Sequence, residues 1–105
     1  MTIKTLQDIE QALASGKALF IKFSATWCSP CKALKPKWEE AAQQFAEQAN
    51  FVEFDVDEDD EALCADLRIN SVPTIVAFKI STQQFNRLVG NVTMTDLSKF
   101  VISNI

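Results

Sequence analysis

Cys28 and Cys31 stand three positions apart in Trp27-Cys28-Ser29-Pro30-Cys31, with an aromatic before the first and a proline before the second. Two thiols at this spacing suit either a reversible disulfide or one corner of a metal site. The surroundings favour redox chemistry. An apolar run, Ala18-Leu19-Phe20-Ile21-Lys22-Phe23, leads in as a strand, and a helical pattern from Lys32 through Ala49 leads out. Cys28 then falls at a helix N-terminus, where unpaired backbone N–H groups and the helix dipole stabilise an anion. Its thiolate becomes available near neutral pH to attack a substrate disulfide, and Cys31, one turn further in, can resolve the mixed disulfide. Tetrahedral zinc takes about four ligands, whereas this chain has no histidine and one further cysteine, Cys64. No metal site is therefore expected. An inert structural pair is the remaining alternative.

The elements that position these thiols follow from hydrophobic spacing. Residues 2–4 suit a short edge strand. Leu6, Ile9, Ala12 and Leu13 recur at helical intervals, with Ser15-Gly16 as the stop. Ala18 to Ser24 reads as a strand covered on both faces, broken only by Lys22. The helix after Cys28 carries Pro30 in its first turn and Leu34, Trp38, Ala41, Ala42 and Phe45 on one face, with a kink expected from Pro36 near residues 32–36. Phe51 to Val56 alternates as a strand, and the acid run from Asp57 to Glu61 reads as a solvated loop leading into a helix start. Ala62, Leu63, Leu67 and Ile69 give a short helix ended by Ser71-Val72-Pro73-Thr74. Thr74 to Ile80 and Phe85 to Val89 are strands joined by a turn without glycine. Thr93 to Ile105, with Met94, Leu97, Val101 and Ile102 in phase, closes the chain as a helix. The order β-α-β-α-β-α-β-β-α implies an α/β fold: parallel neighbours through helical crossovers, a final hairpin, and a mixed sheet of about five strands flanked by four helices.

Length and charge set the outer limits. At 105 residues the chain is read as one domain, residues 1–105, with eight phenylalanines to build its core. No apolar run approaches the roughly 18 residues of a membrane span, and the N-terminus does not have the pattern of a secretory signal. The net charge of −4 gives no reason to expect nucleic acid or an anionic membrane as a partner. Three cysteines are too few for a disulfide scaffold, so a reducing compartment, the cytoplasm, is expected.

With that order in view, the chain resembles the thioredoxin family over essentially its whole length. The resemblance rests on Phe23-Ser24-Ala25-Thr26-Trp27-Cys28 with Pro30-Cys31-Lys32, on Pro36 within the helix, on Val72-Pro73-Thr74, and on Val89-Gly90. It implies a thioredoxin-like fold and a protein disulfide reductase that is a monomer. Such a protein binds no cofactor and receives electrons from NADPH through thioredoxin reductase. Oxidised client proteins with disulfides are its other partners. By the same resemblance Cys28 is the exposed nucleophile and Cys31 the buried resolving thiol. Pro73 is the cis-proline held against the disulfide, while Trp27, Val72 and Gly90 wall the client groove, and Ser29 and Pro30 are counted among the substrate-binding residues. An oxidase or isomerase of this fold, or a binding module with incidental thiols, are the alternatives.

Two positions depart from the family pattern. Ser29 replaces the usual glycine, and a hydroxyl there can shift the redox potential. Lys22 occupies the place of a buried aspartate beneath the resolving cysteine, and Glu53, on the adjoining strand, stands where bacterial members often have lysine. A lone lysine in an apolar strand is costly unless paired. A swapped Lys22–Glu53 pair with a role in proton handling is therefore expected, since buried lysines can act as bases. The alternative is a Lys22 that extends its head to solvent. Cys64 is expected to pack in the core, with a regulatory or dimerising thiol as the sharper possibility.

Overall fold

The computed structural model describes Ile3, residues 5–57 and residues 61–105. Everything in it is arranged around β1 (Ala18–Ser24), whose residues 18–23 are all buried. Side chains alternate across a strand. Leu19, Ile21 and Phe23 therefore face Ile9 and Ala12 of α1 (Leu6–Leu13), and Leu63 and Leu67 in and just after α3 (Glu61–Asp66). Phe20 faces the other way, toward Leu34, Trp38 and Ala41 of α2 (Ser29–Gln44) and Leu97 and Val101 of α4 (Met94–Asn104). Lys22 shares that second side, its Nζ lying 5.9 Å from the Trp38 ring centroid.

Four strands in the order β2-β1-β3-β4 make the sheet among the described residues, rather than about five. The fifth was expected over residues 2–4, which lie outside the described residues except Ile3; that residue is buried but not in a strand. β2 (Ala49–Asp55) runs parallel to β1. β3 (Thr74–Lys79) runs antiparallel to β1, and β4 (Gln84–Val89) antiparallel to β3. The expectation that every helical crossover makes parallel neighbours therefore fails at β3. The connection through α3 passes β1 and re-enters the sheet at the same end at which β2 leaves it, so β3 runs antiparallel and the sheet is mixed at its centre.

Several boundaries shift for local reasons. The helix expected to reach Ala49 ends at Gln44, because Ala49 pairs in register with Ala18 and is buried there. α2 is one helix with Pro36 inside it and proline in its first turn. Thr5 caps α1 with a reciprocal Asp8 bond, and Thr93 caps α4. The turn without glycine places Gln83 at φ 56°, in the left-handed region. Leu6 and Ile102, expected on apolar faces, are 45% and 60% exposed. In α4 the inward position is instead taken by Asn104, whose amide donates to the Phe100 carbonyl and accepts from Asn86, each at 2.7 Å. A polar side chain so satisfied is tolerated in the interior.

Candidate active site

The β1 strand ends at Ser24, and Ala25-Thr26-Trp27 carries the chain to the start of α2. Cys28 is the N-cap: its backbone is extended, and its Sγ accepts a bond from the Cys31 amide at 3.2 Å. A sulfur there occupies the place a capping oxygen usually takes, and it meets the amide groups that favour a thiolate. Cys28 and Cys31 form a disulfide, with Cα atoms 5.2 Å apart. The nucleophile was expected to be exposed. Instead Cys28 and Cys31 are each 4% exposed, packed with Ala25 and against Val56 and Val72. Exposure does not distinguish the two thiols; their places on the helix do.

Across from the disulfide lies the loop before β3. The Val72–Pro73 peptide is cis, as expected, and the Val72 carbonyl oxygen lies 3.7 Å from Cys28 Sγ. Pro73 is buried and its carbonyl accepts from the Gly90 amide at 2.9 Å. Gly90 has φ +97° and open space where a Cβ would stand, so its requirement is the backbone conformation rather than close approach. The Thr74 hydroxyl donates to the Ser71 carbonyl at 2.7 Å and ties the loop to the start of β3. Val72 is half-buried, while Ser29 and Pro30 are exposed at the start of α2.

Trp27 is 67% exposed beside this loop, and its indole Nε1 donates to Asp57 Oδ2 at 2.7 Å. Sequence reasoning missed this contact. Asp57 is the first member of the acid run, and nothing in its spacing sets it apart from a solvated charge; Glu58, Asp59 and Asp60 lie outside the described residues. A second missed contact joins α2 to the segment before α4: Lys37 Nζ donates to Asn91 Oδ1 and the Val92 carbonyl at 3.0 and 2.9 Å. Cys64 is half-buried and packs against the α1/α3 side of the core.

On the inner side of the disulfide, Lys22 and Glu53 are register partners across β1 and β2, and their Nζ and Oε1 atoms are 3.0 Å apart. The lysine side chain is 3% exposed and the glutamate 48%. Lys22 therefore does not extend its head to solvent. A cavity of about 420 Å³ is lined by both, together with Cys31, Ser24, Asp55, Lys32 and Lys35. Cys31 and the ion pair thus share one space. Among the described residues no group of three or more His, Cys, Asp or Glu side chains is placed to hold a metal. No helix there is long and apolar enough to cross a membrane.

Comparison with known proteins agrees with this geometry. The family model described as Thioredoxin matches residues 1–103. A thioredoxin of Mycoplasma genitalium is 34% identical over 95 residues, covering 90% of each chain. Thioredoxin-2 of Saccharomyces cerevisiae is 36% identical over 89 residues, covering 84% of this chain and 83% of the other. Among solved structures, the thioredoxin of Fasciola hepatica matches with a TM-score of 0.82 at 27% identity, over 97% of this chain and 96% of that one.

Proposed function

The chain belongs to the thioredoxin family and is a thiol–disulfide oxidoreductase with its redox pair at Cys28 and Cys31; from that premise we propose that it is a reductase of disulfides in other proteins. The observation that carries the reading is the Cys28 sulfur at the N-cap of α2, accepting from the Cys31 amide beside the Val72–Pro73 loop. In the reduced protein the Cys28 thiolate attacks one sulfur of a client disulfide. A Cys28–client bond forms, and the second client sulfur leaves as a thiolate. Cys31 then attacks Cys28, closing the intramolecular disulfide and releasing the first client sulfur. Two electrons pass to the client, and no prosthetic group is needed.

In this reading Trp27, Val72, Pro73 and Gly90 wall the groove where an extended client segment lies, and Ser29 and Pro30, exposed at the start of α2, contact the client beside it. Lys22 and Glu53 take the place of the family's buried acid in proton handling at Cys31; their 3.0 Å contact supports it. Thioredoxin reductase, drawing on NADPH, restores the dithiol. The proposed setting is the cytoplasm and the proposed state a monomer.

Two measurements test the reading. Cys31→Ser should trap a mixed disulfide with client proteins, and Cys28→Ser should trap none. The equilibrium potential of the pair, from thiol trapping across redox buffers, should lie near the roughly −270 mV of thioredoxin rather than the roughly −120 mV of a strong oxidant of the same fold. A value near the upper figure rejects the reductase in favour of an oxidase or isomerase. Failure to form the disulfide at any poise rejects the enzyme in favour of a binding module.

A further inference from the structure

The ion pair behind the disulfide has an unequal build. Lys22 is buried in the central strand and Glu53 is half in solvent at the edge of the same cavity. An ammonium carries donors and no acceptor. Held 3.0 Å from a carboxylate, Lys22 is a fixed cation and not the group that removes a proton. The other charged groups facing the cavity are Asp55 on β2 and Lys32 and Lys35 on α2. Both of these lysines are exposed and Asp55 is half-buried. Exposed charges are screened by solvent and salt, and buried ones far less. The field at the inner wall, where Cys31 sits, is therefore set mainly by Lys22, with Glu53 and Asp55 reducing it.

We propose that Lys22 is a positioning residue for the resolving step: its ammonium, pinned by Glu53 in the cavity behind Cys31, supplies the positive field in which the Cys31 thiolate forms. The proposal rests on the reading of Cys28 as attacker and Cys31 as resolver. A cavity of about 420 Å³ has room for several water molecules, each needing about 10–15 Å³ on this measure. The Cys31 proton leaves through it to solvent, past Glu53. The Cys31 sulfur then attacks Cys28 Sγ of the mixed disulfide. The Cys28–Cys31 bond forms, the Cys28–client bond breaks, and the client sulfur departs with the electron pair and takes a proton from solvent. The buried charge assists by its sign, not by exchanging the proton itself.

The test uses the reduced full-length protein and the aromatic disulfide dithionitrobenzoate in a stopped-flow spectrometer across a pH series. Attack by Cys28 releases one coloured thiolate at a rate proportional to reagent. Attack by Cys31 releases the second at a rate independent of reagent. Lys22→Met should move the pH midpoint of the second release upward by about one unit, which slows it about three- to fourfold at neutral pH, the scarcer thiolate being the stronger nucleophile. Glu53→Gln, which leaves the cation unbalanced, should move the midpoint downward. Lys22→Arg should keep the parent profile. Opposite shifts in the first two variants support the field. An unmoved midpoint in Lys22→Met, or an upward shift in both variants, overturns it; the latter makes Glu53 a base instead. Should Lys22→Met not fold, the direction of the Glu53→Gln shift still decides. If the unaltered protein gives no first release, the dithiol reading itself fails, an outcome separate from these.

Discussion

Replacing Lys22 by methionine is expected to leave the fold as stable as before or more so, although it deletes an ion pair. At the 3.0 Å separation of Nζ and Oε1, two unit charges attract by about 5.5 kcal/mol at an effective dielectric of about 20. Against this stands the desolvation of the ammonium, several kcal/mol for an ion taken from water. With side-chain exposures of 3% and 48%, nearly all of that penalty falls on Lys22. The two contributions cancel closely, and a methionine of similar length keeps the contact with Trp38. The expected change lies between zero and about 2 kcal/mol in favour of Met. Glu53→Gln should do the reverse. Breaking a fully buried pair costs roughly 3–5 kcal/mol, and with the glutamate half in solvent about 1–3 kcal/mol is expected. Urea unfolding of the oxidised protein, with the disulfide intact in every variant, measures both. At a slope of about 1–3 kcal/mol per molar urea, the Glu53→Gln midpoint should fall by about 1 M while that of Lys22→Met holds or rises. A Lys22→Met midpoint well below the parent, beside an unchanged Glu53→Gln, would refute the reasoning. The lysine stem rather than its charge would then hold the strand.

Two further outcomes concern the core and the groove. Phe20 is wholly buried, stacked on Phe51 at 5.0 Å and edge-on to Phe100 at 6.0 Å; Phe20→Ala should cost about 3–5 kcal/mol and lower Tm by at least about 10 °C, as read by calorimetry. Asp57→Ala frees the Trp27 indole from its 2.7 Å bond; stability should change by no more than about 1 kcal/mol, while KM for a protein client rises with kcat held and quenching of the exposed tryptophan increases.

What the sequence disclosed depended on whether the deciding contact was local. The apolar run of β1, the start of α2 at Cys28 and the Thr93 start of α4 are written in neighbouring residues, and all three stand where expected. The Lys22–Glu53 contact was legible through the family resemblance, because a lysine inside an apolar strand demands a partner and Glu53 stands where bacterial members often have lysine; the register that pairs the two is set by the fold. Other features depend on contacts far along the chain. Asn104 is buried in place of Ile102 because Asn86, on β4, satisfies its amide. Asp57 looks like any solvated acid until folding brings Trp27 to it. The direction of β3 follows from the path of its connection, which hydrophobic periodicity does not record. The burial of Cys28 likewise comes from Val56 and Val72, two segments no local pattern joins to it.

The two cysteines, each 4% exposed, have different surroundings. Cys28 meets the N-terminal amides of α2 and the Val72 carbonyl at the groove, whereas Cys31 lines the cavity that holds Lys22. A cation behind the resolving thiol looks at first like a device for raising the potential, which would sit badly with a reductase. The magnitudes argue otherwise. A thiol that titrates at about 8.5 is ionised to only about 3% at pH 7. Because the resolving step proceeds through the thiolate, moving that titration by about one unit changes its rate about three- to fourfold, the tenfold change in thiolate being partly offset by the opposite change in its nucleophilicity. For such a thiol the free energy of the reduced state changes far less, by only about hundredths of a kcal/mol, since nearly all of it stays protonated. In the proposed role Lys22 governs how fast the mixed disulfide is released while leaving the poise of the pair almost untouched. In the Lys22→Met variant the second release should slow while the measured potential holds.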